Sequence, residues 1–308
     1  MLFARRDPDG TLFYYSASDF DGLVDEPYTF ATKRGERLSG HFYYYGSKPT
    51  GRIIVFDHGM GCGHRPYLSE INLLAKQGYL VFAYDHTGCA DSEGESTRGF
   101  AGSLADLDSA ITTLKSDEAY RGYSISVIGH SWGGYSTLNI AKYHPDITHV
   151  VAMSGFISVR QMQKQVVPFF LAPFRGLVYR MEKEANPNYV DADAINTLKN
   201  AKASVMIIHS DDDSVVSPKL HYQKMHRALK DNENVTFCLV SGKKHNPNYT
   251  ANAVKLMDAM HADRTQRKKD NKLGTAEEKQ AFINSHDWAA ITEQDTALWQ
   301  TIFDFLER

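Results

Sequence analysis

Ile125-Ser126-Val127-Ile128-Gly129-His130-Ser131-Trp132-Gly133-Gly134 is a short apolar, β-branched run that breaks around a serine and continues as the helix-compatible stretch 135–143. A strand that turns sharply into a helix exposes the residue at the turn, here Ser131, at the edge of a sheet. The glycines on either side let helix and strand approach each other without a Cβ clash. Ser131 is therefore the leading candidate nucleophile. The rest of the chain must supply the partners that such a serine needs.

Outward from this stretch, apolar strand-like runs at 52–56, 79–84, 124–128 and 149–153 alternate with amphipathic stretches at 66–77, 103–116 and 132–143. Two further strand and helix pairs, 204–209 with 218–230 and 234–240 with 250–261, complete the series. Buried strands separated by helices imply a parallel sheet covered on both faces. Ahead of it, 2–16 reads as a hairpin around Asp9-Gly10 and 28–46 as another around Arg34-Gly35. The expected fold class is α/β, with a mostly parallel sheet of about eight strands, helices on both faces and a small helical cap. One domain over 1–308 is expected, carrying an N-terminal hairpin in 1–26, a cap insertion at 155–190 and a polar insertion at 262–292.

A serine nucleophile requires a base to take its proton and a carboxylate to orient that base, here in the chain order Ser, acid, His. After the strand at 204–209 comes Ser210-Asp211-Asp212-Asp213-Ser214, from which Asp213 is the expected acid, with Asp211 and Asp212 as alternatives that otherwise cap the loop. After the strand at 234–240 comes Ser241-Gly242-Lys243-Lys244-His245, which places His245 as the base. An imidazole titrates near neutrality, so a neutral His245 accepts the Ser131 proton and Asp213 stabilises the resulting imidazolium. Two backbone N–H groups are needed for the oxyanion. Trp132, after the nucleophile, offers one; Met60, within Asp57-His58-Gly59-Met60-Gly61-Cys62-Gly63, offers the other. The plainer reading of those glycines is a simple turn or a phosphate loop, although no acidic ribose partner stands out.

These residues resemble the α/β-hydrolase superfamily, and within it the branch of monoglyceride lipases, lysophospholipases and serine aminopeptidases. The matches are His58-Gly59-Met60-Gly61, Asp85-His86-Thr87-Gly88-Cys89-Ala90-Asp91-Ser92, Gly129-His130-Ser131-Trp132-Gly133-Gly134, Asp213-Ser214-Val215-Val216-Ser217-Pro218 and Gly242-Lys243-Lys244-His245. The resemblance implies an eight-stranded sheet, a cap after the sixth strand, an acyl-enzyme mechanism and no cofactor. The chain departs from the family pattern at Thr87 and Cys89, where Arg and Gly or His are usual, and in the stretch 262–292.

Composition narrows the partners. A net charge of −3 gives no basic field for nucleic acid, and the basic cluster at 264–272 is interleaved with Asp270 and follows Asp263, as a solvated segment would be. Three widely spaced cysteines, Cys62, Cys89 and Cys238, suggest a reducing compartment, with no disulfide framework and no metal site. The charged N-terminus lacks the apolar core of a signal peptide, so the expected location is cytoplasmic, without stable membrane insertion. Oligomeric state is not legible. Phe169, Phe170 and Phe174 in the cap insertion are the expected substrate-binding residues, closing over the C-terminal strand ends. The expected activity is hydrolysis of a carboxylic ester or thioester of a small or lipid-like acyl substrate. The alternatives are an aminopeptidase or prolyl-type peptidase, with Glu182 or Glu184 holding the substrate amine, and a catalytically silent ligand-binding homologue.

Overall fold

The period of two along a strand sends alternate residues to opposite faces of a sheet, and here both faces are covered. Ile53 and Val55 enter one hydrophobic cluster while Ile54 and Phe56 enter another. The computed structural model describes residues 3–6, 15–61 and 63–308. The strands are β1 (Leu23–Ala31), β2 (Arg37–Tyr45), β3 (Arg52–Asp57), β4 (Leu80–Tyr84), β5 (Ser124–His130), β6 (His149–Met153), β7 (Ser204–Ser210) and β8 (Val235–Val240). They form one eight-stranded sheet in the order β1-β2-β4-β3-β5-β6-β7-β8. β2 pairs antiparallel with β1 and β4; every pairing from β4 to β8 is parallel. The expected mostly parallel sheet is what the chain forms, and Gly35, at φ 97°, turns the β1–β2 hairpin.

In chain order the helices are α1 (Leu68–Lys76), α2 (Gly102–Ser116), α3 (Trp132–Asn139), α4 (Val159–Val166), α5 (Arg175–Ala185), α6 (Ala194–Leu198), α7 (Tyr222–Leu229), α8 (Ala251–Lys269), α9 (Ala276–Asn284), α10 (Trp288–Ile291) and α11 (Thr296–Leu306). α1 and α11 bury their apolar stripes on one face, and α2, α3, α6 and α7 on the other. α11 alone buries Leu298, Trp299, Ile302, Phe303, Phe305 and Leu306. At about 1.5–3 kcal/mol per large side chain, this stripe fixes the helix to the sheet. Arg52 donates to the Leu306 carbonyl and satisfies an acceptor that the helix end leaves open.

Two boundaries differ from the sequence reading, and one expected hairpin lies largely beyond the described residues. The hairpin expected at 2–16 falls mainly on residues outside the described ones; of the described part, Ala4 bridges Ser96 and Arg6 bridges Cys89. Residues 23–26, assigned above to that N-terminal hairpin, belong to β1. The helix expected to stop at 261 runs to Lys269. Its extension has no apolar stripe; the Arg267–Asp263 pair, four residues apart, and the basic residues Arg267, Lys268 and Lys269 at its negative end support it. α9 then starts with a reciprocal Thr275–Glu278 cap. Together with α10 it builds a satellite core from Met260, Phe282 and Ile291, against which Leu256, Met257, Leu273 and Trp288 pack. Among the described residues no helix is long and apolar enough to cross a membrane.

Candidate active site

Ser131 stands between β5 and α3 at φ 57°, ψ −110°, a conformation an L-residue holds only when its surroundings enforce it. Its N–H donates to the Met153 carbonyl at 2.8 Å and its carbonyl accepts from Tyr135. Close packing explains both glycines. A Cβ on Gly133 would lie 2.0 Å from the Asp57 carbonyl oxygen, and one on Gly129 would lie 2.3 Å from Thr137 Oγ1. Helix α3 can therefore approach β3 and β5 only without side chains at these two positions.

The three residues expected to cooperate with one another meet at the C-terminal ends of β5, β7 and β8. The Ser131 Oγ lies 2.8 Å from His245 Nε2, and His245 Nδ1 lies 2.8 Å from Asp213 Oδ2. A carboxylate only accepts, so Nδ1 carries the proton and Nε2 is free to accept from the serine. The other Asp213 oxygen accepts from the Val215 and Val216 N–H groups at 2.8 and 2.9 Å. Burial alone would raise the Asp213 pKa, but the hydrogen bond and charge of His245, with those N–H donors, hold it below the usual carboxylate value. Asp211 and Asp212 do other work. Asp211 accepts from Ser241 and Gly242, and Asp212 from Ser210 and Lys244, so both tie the β7 loop to the β8 loop.

The Gly59–Gly61 loop, which carries the expected Met60 donor, packs directly on Ser131: a Cβ on Gly59 would lie 3.3 Å from Ser131 Cβ. Trp132 is the first residue of α3, where an N–H has no helical acceptor. Its indole donates to the Phe100 carbonyl at 2.6 Å, which fixes the side chain away from the backbone donor. The loop is held from behind by Asp85, which accepts from both the backbone and the ring of His64 at 2.8 and 2.7 Å. Burial would raise the Asp85 pKa, yet His64 brings it down to about 2.

A chain of hydrogen bonds that the sequence reading missed joins the two sides of the site. Gly59 N–H donates to Tyr67 Oη at 3.1 Å; Tyr67 Oη lies 3.0 Å from His130 Nδ1; His130 Nε2 lies 2.8 Å from the His245 carbonyl. The carbonyl only accepts, so Nε2 carries the His130 proton and Nδ1 accepts from the tyrosine. Burial first, and then the neighbouring His245, push the His130 pKa down to about 3. The ring stays neutral and the chain keeps one direction. No sequence signal pointed to it beyond the histidine beside Ser131.

The cap, α4 to α5 with the 3-10 turn Phe169–Phe174 between them, corrects two expectations. Phe169, Phe170 and Phe174 are 90%, 77% and 57% exposed, and none of them borders the cavity beside His245. The inward contacts come instead from Met162 and Tyr179. Glu182 is buried and accepts from the Phe100 and Ala101 N–H groups at 2.8 and 3.4 Å, so it anchors the cap and is not available to hold a substrate amine. Glu184 is exposed. The cavity beside the reaction centre, about 500 Å³, is bordered by Met60, His130 and His245 and by α8 and α10, with no residue of the cap in its wall.

A sheet in this order, with a strained serine between its fifth strand and the following helix, is the α/β-hydrolase fold. Residues 48–197 match the family model described as serine aminopeptidase, S33. The monoglyceride lipase of Rattus norvegicus is 34% identical over 113 residues, and that of Homo sapiens 32% over 103. The matched stretch spans about a third of each, 34% of this chain with 35% of the rat protein and 32% with 33% of the human one. An esterase of Pyrococcus furiosus superposes with a TM-score of 0.61 at 18% identity, over 87% of this chain and 97% of the other. An esterase domain of a Rhodothermus marinus protein gives 0.53 at 17% identity, over 77% and 97%. Over that matched third the chain is similar to the monoglyceride lipases, and the solved esterases share its fold.

Proposed function

We propose that this protein is a serine hydrolase that cleaves carboxylic esters through an acyl-enzyme. The observation that carries the reading is the unbroken line from Ser131 Oγ through His245 to Asp213, with 2.8 Å at each step. The Ser131 proton passes to His245 Nε2 as Oγ bonds to the ester carbonyl carbon. The carbonyl oxygen becomes an oxyanion held by the Met60 and Trp132 N–H groups, each of which contributes about 3–4 kcal/mol in such sites. Collapse returns the proton to the leaving oxygen, the C–O bond breaks, and the alcohol departs. Water then repeats the sequence on the acyl-serine, His245 taking its proton and returning it to Ser131.

The lipases and esterases among the relatives support an ester over an amide, and so does the engagement of Glu182 by the backbone. Wild-type protein is expected to hydrolyse p-nitrophenyl butyrate and to label with a fluorophosphonate probe, and Ser131→Ala to do neither. Unchanged turnover in Ser131→Ala overturns the assignment of the nucleophile. A silent wild-type protein overturns the enzymatic reading altogether.

A further inference from the structure

Resting on the ester-hydrolase reading, we infer that the cavity walled by α8 and α10 holds the alcohol portion of the ester, and that this alcohol is bulky and largely apolar. In a triad, His245 must return its proton to the leaving oxygen, so that oxygen sits at Nε2 and the group it carries extends along the imidazole. The cavity lies on that side. Met60 and His245 form its near wall, and Val254, Met257, Trp288 and Ile291 form its far wall. At about 500 Å³ it falls within the usual range of small-molecule pockets, ~300–1,000 Å³.

The far wall is built, not incidental. Met257 and Trp288 pack on Phe282, Ile291 and Met260, and the Trp288 indole donates to the Ile283 carbonyl at 2.8 Å. Asn246, next to the base, contacts Met257 Sδ at 3.3 Å, so the wall is tied to the loop that carries the imidazole. Trp288 and Ile291 come from the stretch that departs from the family pattern, while Val254 and Met257 come from the helix α8 that leads into it, so the insertion completes this wall. Lys244 and Asp258, paired with each other, and the Tyr15 and Thr292 hydroxyls, 3.2 Å apart, supply polar groups at its edge.

Two ester series test this. In one, acetates of methanol, butanol, benzyl alcohol and 2-naphthalenemethanol vary the alcohol; in the other, methyl esters vary the acyl chain from acetate to decanoate. The expected result is that kcat/KM rises along the alcohol series, by about tenfold or more from methyl to naphthylmethyl. Met257→Trp, which narrows the cavity, should reverse that rise, and Met257→Ala, which widens it, should move the optimum to larger alcohols. An effect of both substitutions confined to the acyl series overturns the inference, as does no effect on either series. Binding of 2-naphthalenemethanol to Ser131→Ala, followed by tryptophan fluorescence, gives a readout independent of turnover. It should weaken at least about tenfold when Met257→Trp is added. Ester turnover without alcohol binding overturns the pocket assignment alone; alcohol binding without turnover of any ester overturns the hydrolase reading and the leaving-group role with it.

Discussion

Replacing Tyr67 with phenylalanine removes one oxygen that lies outside the Ser131–His245–Asp213 line, and it should slow the reaction. That oxygen accepts from Gly59 N–H at 3.1 Å and lies 3.0 Å from His130 Nδ1. Without it, a backbone donor and a ring acceptor lose their partners, each orphan costing about 1–3 kcal/mol. The Gly59 peptide immediately precedes the Met60 donor, so the loop can recover a partner for Gly59 only by turning Met60 away from the oxyanion. Complete loss of one oxyanion donor costs about 3–4 kcal/mol in such sites, and partial displacement roughly half of that. At about 1.4 kcal/mol per factor of ten, Tyr67→Phe should lower kcat on p-nitrophenyl butyrate by about 10- to 100-fold. KM should stay within about threefold, because the loss falls on the transition state. Steady-state kinetics together with a thermal melt decide the matter. A melting temperature that falls while kcat holds would refute the reasoning, since Tyr67 would then be packing the loop without placing its donor.

Two further outcomes follow from the described contacts. Asp213→Asn leaves the shape of the acid intact but no longer selects the Nδ1–H form of His245, and kcat should drop by about 10⁴-fold, measured as turnover of the same ester. Burial raises the Glu182 pKa to about 7, against the pull of the Phe100 and Ala101 N–H donors. From about pH 4.5 to 7 the folded chain therefore binds more protons than the unfolded one, so this group's contribution to stability falls as pH rises through that window. Glu182→Gln should remove that fall and stabilise the chain at pH 8, by on the order of 2 kcal/mol relative to its effect at pH 5, in urea melts at both values. Glu70, also raised to about 7 by burial, keeps its own slope of the same sign in either protein. An equal shift at both pH values would sink the assignment.

The sheet and the line of three residues were legible because each sits at a strand end with its own punctuation. Gly129 and Gly133 bracket the serine, the acid follows the apolar run Val205–His209, and Gly242 precedes the histidine. What was not legible depended on direction or on convergence. Hydrophobicity marks Phe169, Phe170 and Phe174 as side chains to be buried, but not whether a short cap has anything to bury them against, and they stay exposed. The second half of α8 carries no apolar period, so only its charge pairing and the satellite core under it explain why it is helical. The Tyr67–His130 chain joins residues 63 positions apart, and its other end reaches 115 positions further to His245. No local pattern encodes such a meeting.

The helical excursion α8 to α10 leaves and returns at almost one point. Tyr249 bridges Gln294, Thr250 N–H donates to the Glu293 carbonyl at 3.0 Å, and Asp295 N–H to the Asn248 carbonyl at 2.7 Å. A segment whose two stems are already buttoned together behaves as a cassette: its contents can be shortened, exchanged or re-sequenced while the stems keep the base loop where it is. On the alcohol-pocket inference, evolution or an engineer can thus retune the accepted ester in one place, leaving Ser131 and its strained turn untouched.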